Sequence, residues 1–235
     1  MTAQLFALNE NTHRHLRIKR DRSFRHAASQ HLVPIMVDEI LDAAIEFPIV
    51  FVKNAQSGAF TLCAILGLKP QSNEYCGRDK FDAVYVPRVL RLYPFALRDS
   101  ASGGQADVCL FEDDALLNQD HGEPLYSENG EASPFLESHI TLLTNHHQQL
   151  QQTEAFSQML LEQGLLHEQS IKINLNGDPI SFDGVYVPDQ RQLDRLEPHK
   201  LTALRDNGAL AILYAMQNSL KQLNRLIMRY QANRA

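Results

Sequence analysis

Residues 49–66 read IVFVKNAQSGAFTLCAIL, and this stretch decides the fold class. Its two halves, IVFVK and AFTLCAIL, are rich in β-branched and aromatic residues, and the loop NAQSG between them contains a glycine. Runs of this composition on either side of a short glycine-containing loop predict two neighbouring antiparallel strands. We therefore expect β-hairpin structure in the first third of the chain.

The same signals predict further strands. IKINL and PISFDGVYV flank Asn176-Gly177-Asp178, and Asn-Gly favours the left-handed backbone of a tight hairpin turn. ADVCLF (106–111) predicts another strand, and HLRIKRDRSFRHAA (15–28) predicts an edge strand that turns into a loop. A small hairpin is expected around HGEP (121–124), within an acidic and turn-rich stretch.

Helices are predicted mainly in the second half. One short helix is expected earlier, over 37–47, where prolines mark both ends. A Ser-Pro pair predicts the start of a long helix over 133–163, with a break near Thr153. Short helical pieces over 190–206 and a last helix over 209–230 follow from apolar residues at helical spacing.

These elements predict an α+β fold. We expect a mixed or antiparallel sheet with hairpins early and around 170–187, and helices dominating the second half. The prediction is a single domain over 1–235. The alternative is a subdivision near residue 130, into a strand-rich part (1–130) and a helix-rich part (131–235).

The composition is that of an ordinary globular protein, with 235 residues of which 44% are hydrophobic and 21% are charged. A chain of this length buries enough apolar surface to fold without disulfides or metals. The three cysteines, Cys63, Cys76 and Cys109, form no CxxC pair. We expect buried free thiols in a reducing compartment.

The N-terminal sequence lacks the basic region, apolar core and cleavage site of a signal peptide. No apolar run approaches the roughly 20 residues that cross a bilayer. We therefore expect a soluble, cytoplasmic protein without a membrane span. Secretion by a signal-independent route is the alternative.

Charge is distributed unevenly around the net value of −6. Residues 14–25 contain six Lys or Arg and one acid, whereas residues 99–171 contain thirteen Asp or Glu and neither Lys nor Arg. One interpretation is two surfaces of opposite sign that meet partners. The favoured interpretation is that the two segments pair within the fold. The acidic balance and the lack of a recognition helix argue against nucleic acid as a partner.

The sequence contains no established motif for metals, nucleotides or nucleophilic catalysis. His13 and His15 alternate, while His146 and His147 are adjacent on a helix and point about 100° apart, so neither pair predicts a metal site. Gly103-Gly104 lacks the order of a dinucleotide or phosphate loop. We expect no metal and no cofactor.

A candidate binding site lies in YVPRVLRLYPFAL, residues 85–97. Arg88 and Arg91 are three residues apart and share a face on a helix, where two guanidinium groups can bind a carboxylate or phosphate. Tyr85, Tyr93 and Phe95 supply aromatic walls. The functional interpretation is a pocket for a small anion or peptide, with Arg91 the more structural arginine and Arg88 facing the ligand. The favoured alternative is a structural corner whose arginines pair with acids.

Several blocks of sequence resemble one bacterial family. They are HRHLRI (13–18), VPIMVDEILDAAIEFPIVFV (33–52), AILGL (64–68), Asn73, FDAVYVPRVLRLYPFAL (81–97) and GALAILYAMQNSLKQLNRL (208–226). In this order they resemble the SapC-like family. Phe81 stands where the family pattern has a tryptophan, and Met216 stands where it has a histidine. The resemblance adds Asn73 to the candidate ligand-binding residues.

The resemblance implies three functions. The first is a non-catalytic binding or accessory protein linked to surface-layer or secretion functions, as the family's naming suggests. The second is an enzyme, or an enzyme's partner, acting on an amino-acid or peptide substrate, since family members are encoded near flavin-dependent tryptophan halogenases. The third is a secreted component of a surface array. Expected partners are a protein or peptide and a small anionic ligand.

Overall fold

The computed structural model describes residues 5–98, 106–112, 115–175 and 178–234. It confirms an α+β fold, with antiparallel sheets and helices concentrated in the second half. The strands are β1 (Leu5–Ala7), β2 (Arg17–Ile18), β3 (Leu32–Pro34), β4 (Ile49–Lys53), β5 (Phe60–Ile65), β6 (Phe95–Arg98), β7 (Asp107–Phe111), β8 (Leu117–Asn118), β9 (Glu123–Pro124), β10 (Leu166–Leu175) and β11 (Asp178–Pro188). The helices are α1 (Glu10–His13), α2 (Ile40–Ala43), α3 (Arg88–Leu92), α4 (Pro134–Glu162), α5 (Gln190–Leu193), α6 (Pro198–Asp206), α7 (Ala209–Ser219) and α8 (Gln222–Ala232).

The chain forms two compact units that alternate along the sequence. Unit 1 comprises residues 1–22 and 88–148, and unit 2 comprises residues 23–87 and 149–235. The boundary between the last two segments falls within α4. The predicted single domain, with its alternative division near residue 130, stays a prediction.

Unit 1 contains two small sheets, with strand orders β1-β7-β6 and β8-β2-β9. β2 pairs with β8 on one side and β9 on the other, so the prediction of an edge strand here is wrong. The predicted hairpin around 121–124 is also wrong, because β2 lies between the two strands that would form it. A Cβ atom at position 122 would lie 2.3 Å from the Ile18 carbonyl oxygen. The close approach of β2 to this loop therefore requires glycine at position 122.

An apolar core supports these sheets from one side. It brings together Ile18 of β2, Phe95 of β6 and Leu110 of β7 with buried leucines of α3 and α4. Leu125, which follows β9, is fully buried in the same cluster. The core of unit 1 therefore draws on segments more than a hundred residues apart in sequence.

Unit 2 is built on one five-stranded antiparallel sheet of order β10-β11-β4-β5-β3. The predicted hairpin of β4 and β5 is confirmed, with Ile49 opposite Ala64 and Lys53 opposite Phe60. The β10–β11 hairpin is confirmed as well, while its Asn176-Gly177 turn lies outside the described residues. Gly103-Gly104, predicted as a loop, also lies outside them.

The helices of unit 2 differ from the prediction in one respect. α7 packs against α2, α6 and the sheet, and its Leu213 and Met216 are buried. The predicted single helix over 209–230 is in fact two helices, α7 and α8, separated by a two-residue interruption at Leu220 and Lys221. The predicted break in the long helix is wrong, since α4 continues through Thr153.

Thr153 explains why α4 stays regular there. Its hydroxyl donates to the Gln149 carbonyl one turn back, at 2.7 Å, and accepts from the Val37 amide at 2.9 Å. Both hydroxyl functions are thereby satisfied without breaking the helix. Within the described residues, no helix is long and apolar enough to cross a bilayer.

Candidate functional site

The six residues predicted to bind a ligand are divided between the two units. Arg88 and Arg91 lie on α3 of unit 1, which begins directly after Pro87, and Tyr93 and Phe95 follow it. Tyr85 and Asn73 belong to unit 2 and are described separately below. A ligand-binding role for any of the six stays a prediction.

Within unit 1 the aromatic members of this set pack against protein. Phe95 is 3% exposed and lies 5.0 Å, between ring centroids, from His139 of α4. Tyr93 stacks on Phe111 with ring centroids 5.7 Å apart. Arg91 is exposed and Arg88 is half-buried. The expectation that Arg91 is the more structural arginine stays a prediction.

In unit 2 the remaining two residues hold loops in place. The Tyr85 hydroxyl donates to the buried Glu39 carboxylate at 2.6 Å, and the other Glu39 oxygen accepts from the Met36 amide at 2.9 Å. The Asn73 side chain donates to the Ala27 carbonyl at 3.1 Å and accepts from the Tyr75 amide at 3.0 Å. These contacts give both residues a structural role in the fold.

A groove of about 350 Å³ lies on unit 1, away from these six residues in sequence. Its apolar walls come from Phe6 and Leu110, which lie opposite each other in paired strands, and from Leu16 and Leu117. Its polar groups come from the segment around α1 and from the residue that follows β7. The residues that line it are Phe6, Thr12, His13, His15, Leu16, Leu110, Glu112 and Leu117. This volume falls in the range of small-molecule sites.

The polar wall of the groove is placed by a helix cap. The Asn9 side chain accepts from both the amide and the hydroxyl of Thr12, at 2.9 and 2.7 Å, and so begins α1. His13 ends this one-turn helix, and its Nδ1 lies 3.0 Å from the Asn9 carbonyl oxygen and 3.1 Å from the Asn9 nitrogen. Nδ1 is therefore committed to Asn9, and Nε2 is the nitrogen that can meet a ligand.

The apolar walls are placed by strand register. Phe6 of β1 lies directly opposite Leu110 of β7, and both line the groove. Leu117 of β8 pairs with Ile18 of β2, which carries Leu16 close by in sequence. Glu112 follows β7 directly and adds an exposed carboxylate to the rim.

This combination defines the chemistry that the groove can hold. Phe6, at 37% exposed, is an aromatic side chain that the fold leaves open to solvent. A ligand with an apolar body can cover it, while a cationic or hydrogen-bond-donating end meets the Glu112 carboxylate. Across the described ranges, no group of three or more His, Cys, Asp or Glu side chains is placed to hold a metal ion.

Sequence reasoning considered two groove residues and assigned them no role. His13 and His15 were tested as metal ligands only, and their alternation gave no metal geometry. The other groove residues, Leu110, Glu112 and Leu117, lie about a hundred residues later in the sequence, and strand pairing brings Leu110 and Leu117 to the first part of the chain. The sequence feature that could have indicated this groove is the block HRHLRI, which combines two histidines with two apolar residues.

Comparison with known families decides the classification. The family model described as SapC matches residues 8–226 of the chain. The chain belongs to the SapC family. Neither a curated protein nor a solved structure matches it.

Most of the groove lies in the part that the SapC family model covers. The match begins at residue 8, so it takes in Thr12, His13 and His15, as well as Leu110, Glu112 and Leu117. Phe6 lies two residues before the match. The six residues predicted from the arginine-rich stretch also lie within the SapC match.

Proposed function

We propose that this SapC-family chain is a binding protein that catalyses no reaction and serves an accessory role linked to surface-layer or secretion functions. The link to surface layers rests on the family's naming. The observation that supports a binding role is the groove of unit 1, where apolar walls and hydrogen-bonding side chains converge on one space of ligand size.

The lining favours a small molecule with an apolar body and an ammonium group. The ammonium pairs with the Glu112 carboxylate, and His13 Nε2 or the nearby His15 ring accepts a further hydrogen bond. The apolar body covers Phe6 and the three leucines. An apolar amino acid or the amino end of a short peptide has this chemistry, which keeps the substrate class that the sequence suggested and moves it to a different site.

The size of the groove restricts the ligand further. Sites for drug-sized ligands span roughly 300–1,000 Å³, and about 350 Å³ is at the lower end of that range. We therefore expect one apolar residue to be held, with any following peptide outside the groove.

The experiment is a calorimetric titration with phenylalanine amide, which carries both an aromatic body and an ammonium group. N-acetyl-phenylalanine amide is the matched probe without the positive charge. We expect phenylalanine amide to bind and the acetylated probe to bind at least about 10-fold more weakly, since a lost charge-assisted hydrogen bond costs on the order of 1.5–3 kcal/mol.

Two variants assign the binding to the groove. Glu112→Gln removes the carboxylate at the rim and is expected to abolish the preference for the ammonium probe. Glu128→Gln changes an exposed acid of unit 1 that does not line the groove, and should leave binding unchanged. The proposal fails if neither probe binds, or if both variants behave alike.

The location of the protein is part of the same proposal. We propose a cytoplasmic accessory protein, and the alternatives are a surface-array component and a partner of an amino-acid-modifying enzyme. Fractionation of cells that express the chain separates the first two, because an array component is recovered with the cell surface and an accessory protein is recovered with the cytoplasm.

A further inference from the structure

The interruption between α7 and α8 contains neither glycine nor proline. Leu220 and Lys221, the two residues between the helices, both keep right-handed helical backbone angles. The hydrogen bonds there are those of tighter turns, with Lys221 N bonded to the Asn218 carbonyl at 3.1 Å and Leu223 N to that of Leu220 at 3.2 Å. Local sequence thus favours one continuous helix, whereas the fold has two.

Ser219, the last residue of α7, makes a tertiary contact directly before the interruption. The Ser219 hydroxyl donates to the Met216 carbonyl at 2.6 Å and accepts from the Ile49 amide of β4 at 2.9 Å. Ser219 is 1% exposed, so this hydroxyl anchors the end of α7 to the sheet.

After the interruption, α8 lies against a surface that carries three carboxylates. Arg225 pairs with Glu46 at 3.0 Å, Arg229 pairs with Asp82 at 2.6 Å, and the following Arg234 pairs with Glu74 at 3.0 Å. We call Glu46, Asp82, Glu74 and the neighbouring Tyr75 the acidic face.

The acidic face is a specific receptor and not a general acidic patch. Glu46 and Glu74 are 2% and 5% exposed, and the Arg229 guanidinium lies 4.6 Å from the Tyr75 ring centroid. Burial raises the pKa of Tyr75 to about 12, so its ring stays neutral beneath the arginine. The hydrogen bond from Arg229 holds the pKa of Asp82 below its ordinary value.

Apolar burial contributes less to the attachment of α8 than these polar contacts do. Leu226 is fully buried, while Met228 is 61% exposed. α8 and the residues that follow it are also held by two hydrogen bonds from the Asn233 side chain to Glu74 and by the partly buried Leu223, Ile227 and Tyr230. A helix with one fully buried side chain and otherwise polar or partly buried contacts is the kind of element that detaches before the rest of a unit unfolds. High salt weakens the ion pairs with exposed partners and promotes that release.

We propose that α8 is exchanged between two copies of this chain, with α7 and α8 joining into one continuous helix that docks its end on the acidic face of the second copy. The exchange keeps every ion pair and the buried leucine. It also lets Leu220 and Lys221 become part of one continuous helix, as the local sequence favours. The occupant is a second copy because the acidic face needs a buried leucine and cations at the spacing of Arg225, Arg229 and Arg234, and this helix carries them.

A charge-reversal experiment tests the exchange directly. One chain carries Asp82→Arg and another carries Arg229→Asp, so each alone places like charges together. Asp82 is 59% exposed, so its substitution leaves the core intact. In an exchanged dimer of the two variants, one interface has the reversed pair and the other the original pair, and neither has a like-charge contact.

The readout is the mass of the native protein after the two variants are unfolded in urea and refolded together. We expect a shift from the mass of one chain to that of two, with both variants present in equal amounts. Each variant refolded alone should show less dimer than the mixture. Ser219→Ala in the unmodified background should raise the dimer fraction, because it releases the anchor to Ile49.

Two further samples make every outcome decisive. The chain with both substitutions restores an oppositely charged pair within one molecule, and it should refold and dimerise as the unmodified chain does. Unmodified chains with two different tags, refolded together at high concentration, should form dimers that contain both tags. If these tagged chains remain single, or if the mixed variants yield no more dimer than either variant alone, the exchange does not occur.

Discussion

The ion pairs of the two units have the same chemistry and different surroundings. In unit 1, Arg20 pairs with Glu123 at 3.0 Å, and both side chains are exposed, at 68% and 38%. In unit 2, Arg225 pairs with Glu46 at the same distance, but the Glu46 side chain is only 2% exposed. Distance alone would rank the two pairs as equal.

Burial shows why they are not equal. An exposed pair gains little because water solvates both charges, and its contribution is typically about 0–1 kcal/mol. A buried carboxylate has lost its water and depends on its partner, so removal of that partner costs more than formation of the pair gains. Unit 1 uses charge to hold a strand at the surface, whereas unit 2 uses it to specify where a helix docks.

The largest effect is expected from a substitution in the apolar core of unit 2. Leu213 of α7 is 1% exposed, and Leu213→Ala should destabilise the protein by about 2–5 kcal/mol because it leaves a cavity in the core. Urea denaturation measures the loss. Leu201→Ala on α6, where the leucine is 36% exposed, is the control. Equal losses for the two variants would show that α7 is not a core helix.

The next effect isolates the buried carboxylate. Arg225→Met should cost about 1–3 kcal/mol, because the buried Glu46 carboxylate loses its ionic partner, with partial compensation by water since Arg225 is 41% exposed. Adding Glu46→Gln should recover part of this loss. A double-mutant cycle in urea measures the coupling, and a value near zero would make this pair equivalent to those of unit 1.

The two arginines of α3 should show a smaller difference. Arg88 is half-buried and Arg91 is exposed, so Arg88→Met should cost about 1 kcal/mol and Arg91→Met at most about 0.5 kcal/mol. Melting temperatures measure both. Inorganic phosphate tests the anion site: if it stabilises the unmodified protein and neither variant loses that effect, α3 does not bind the anion.

The smallest effect is expected at the surface of unit 1. Arg20→Gln should change stability by no more than about 0.5 kcal/mol, and salt should erase the difference from the unmodified protein. Lys19→Gln, at the exposed neighbouring position, is the control. A loss at Arg20 as large as that at Arg225 would remove the distinction between the two units.

Local signals predicted the local parts of the fold. The β4–β5 and β10–β11 hairpins followed from strand-rich runs and turn residues, which act within a few residues of one another. β2 was misjudged because its alternation indicates a strand but not its neighbours. Its partners lie about a hundred residues later, and their pairing depends on tertiary contacts that no local pattern contains.

The candidate site shows the same limit. His13 and His15 stood out in the sequence, yet the groove is defined only when β1 and β2 meet β7 and β8. The interruption of the helix after Ser219 was missed for a related reason. Serine is ordinary within a helix, and its hydrogen bond to Ile49 joins residues 170 positions apart.

The order of segments along the chain has a consequence for synthesis on the ribosome. Unit 1 begins before unit 2, and each is interrupted by a part of the other. The first 22 residues must wait for residues 88–148 to emerge, and residues 23–87 must wait for the chain beyond 148. β4 also pairs with β11, so the sheet that contains residues 49–66 stays incomplete until residues 178–188 have been made, and chaperones commonly protect such β-rich segments during synthesis.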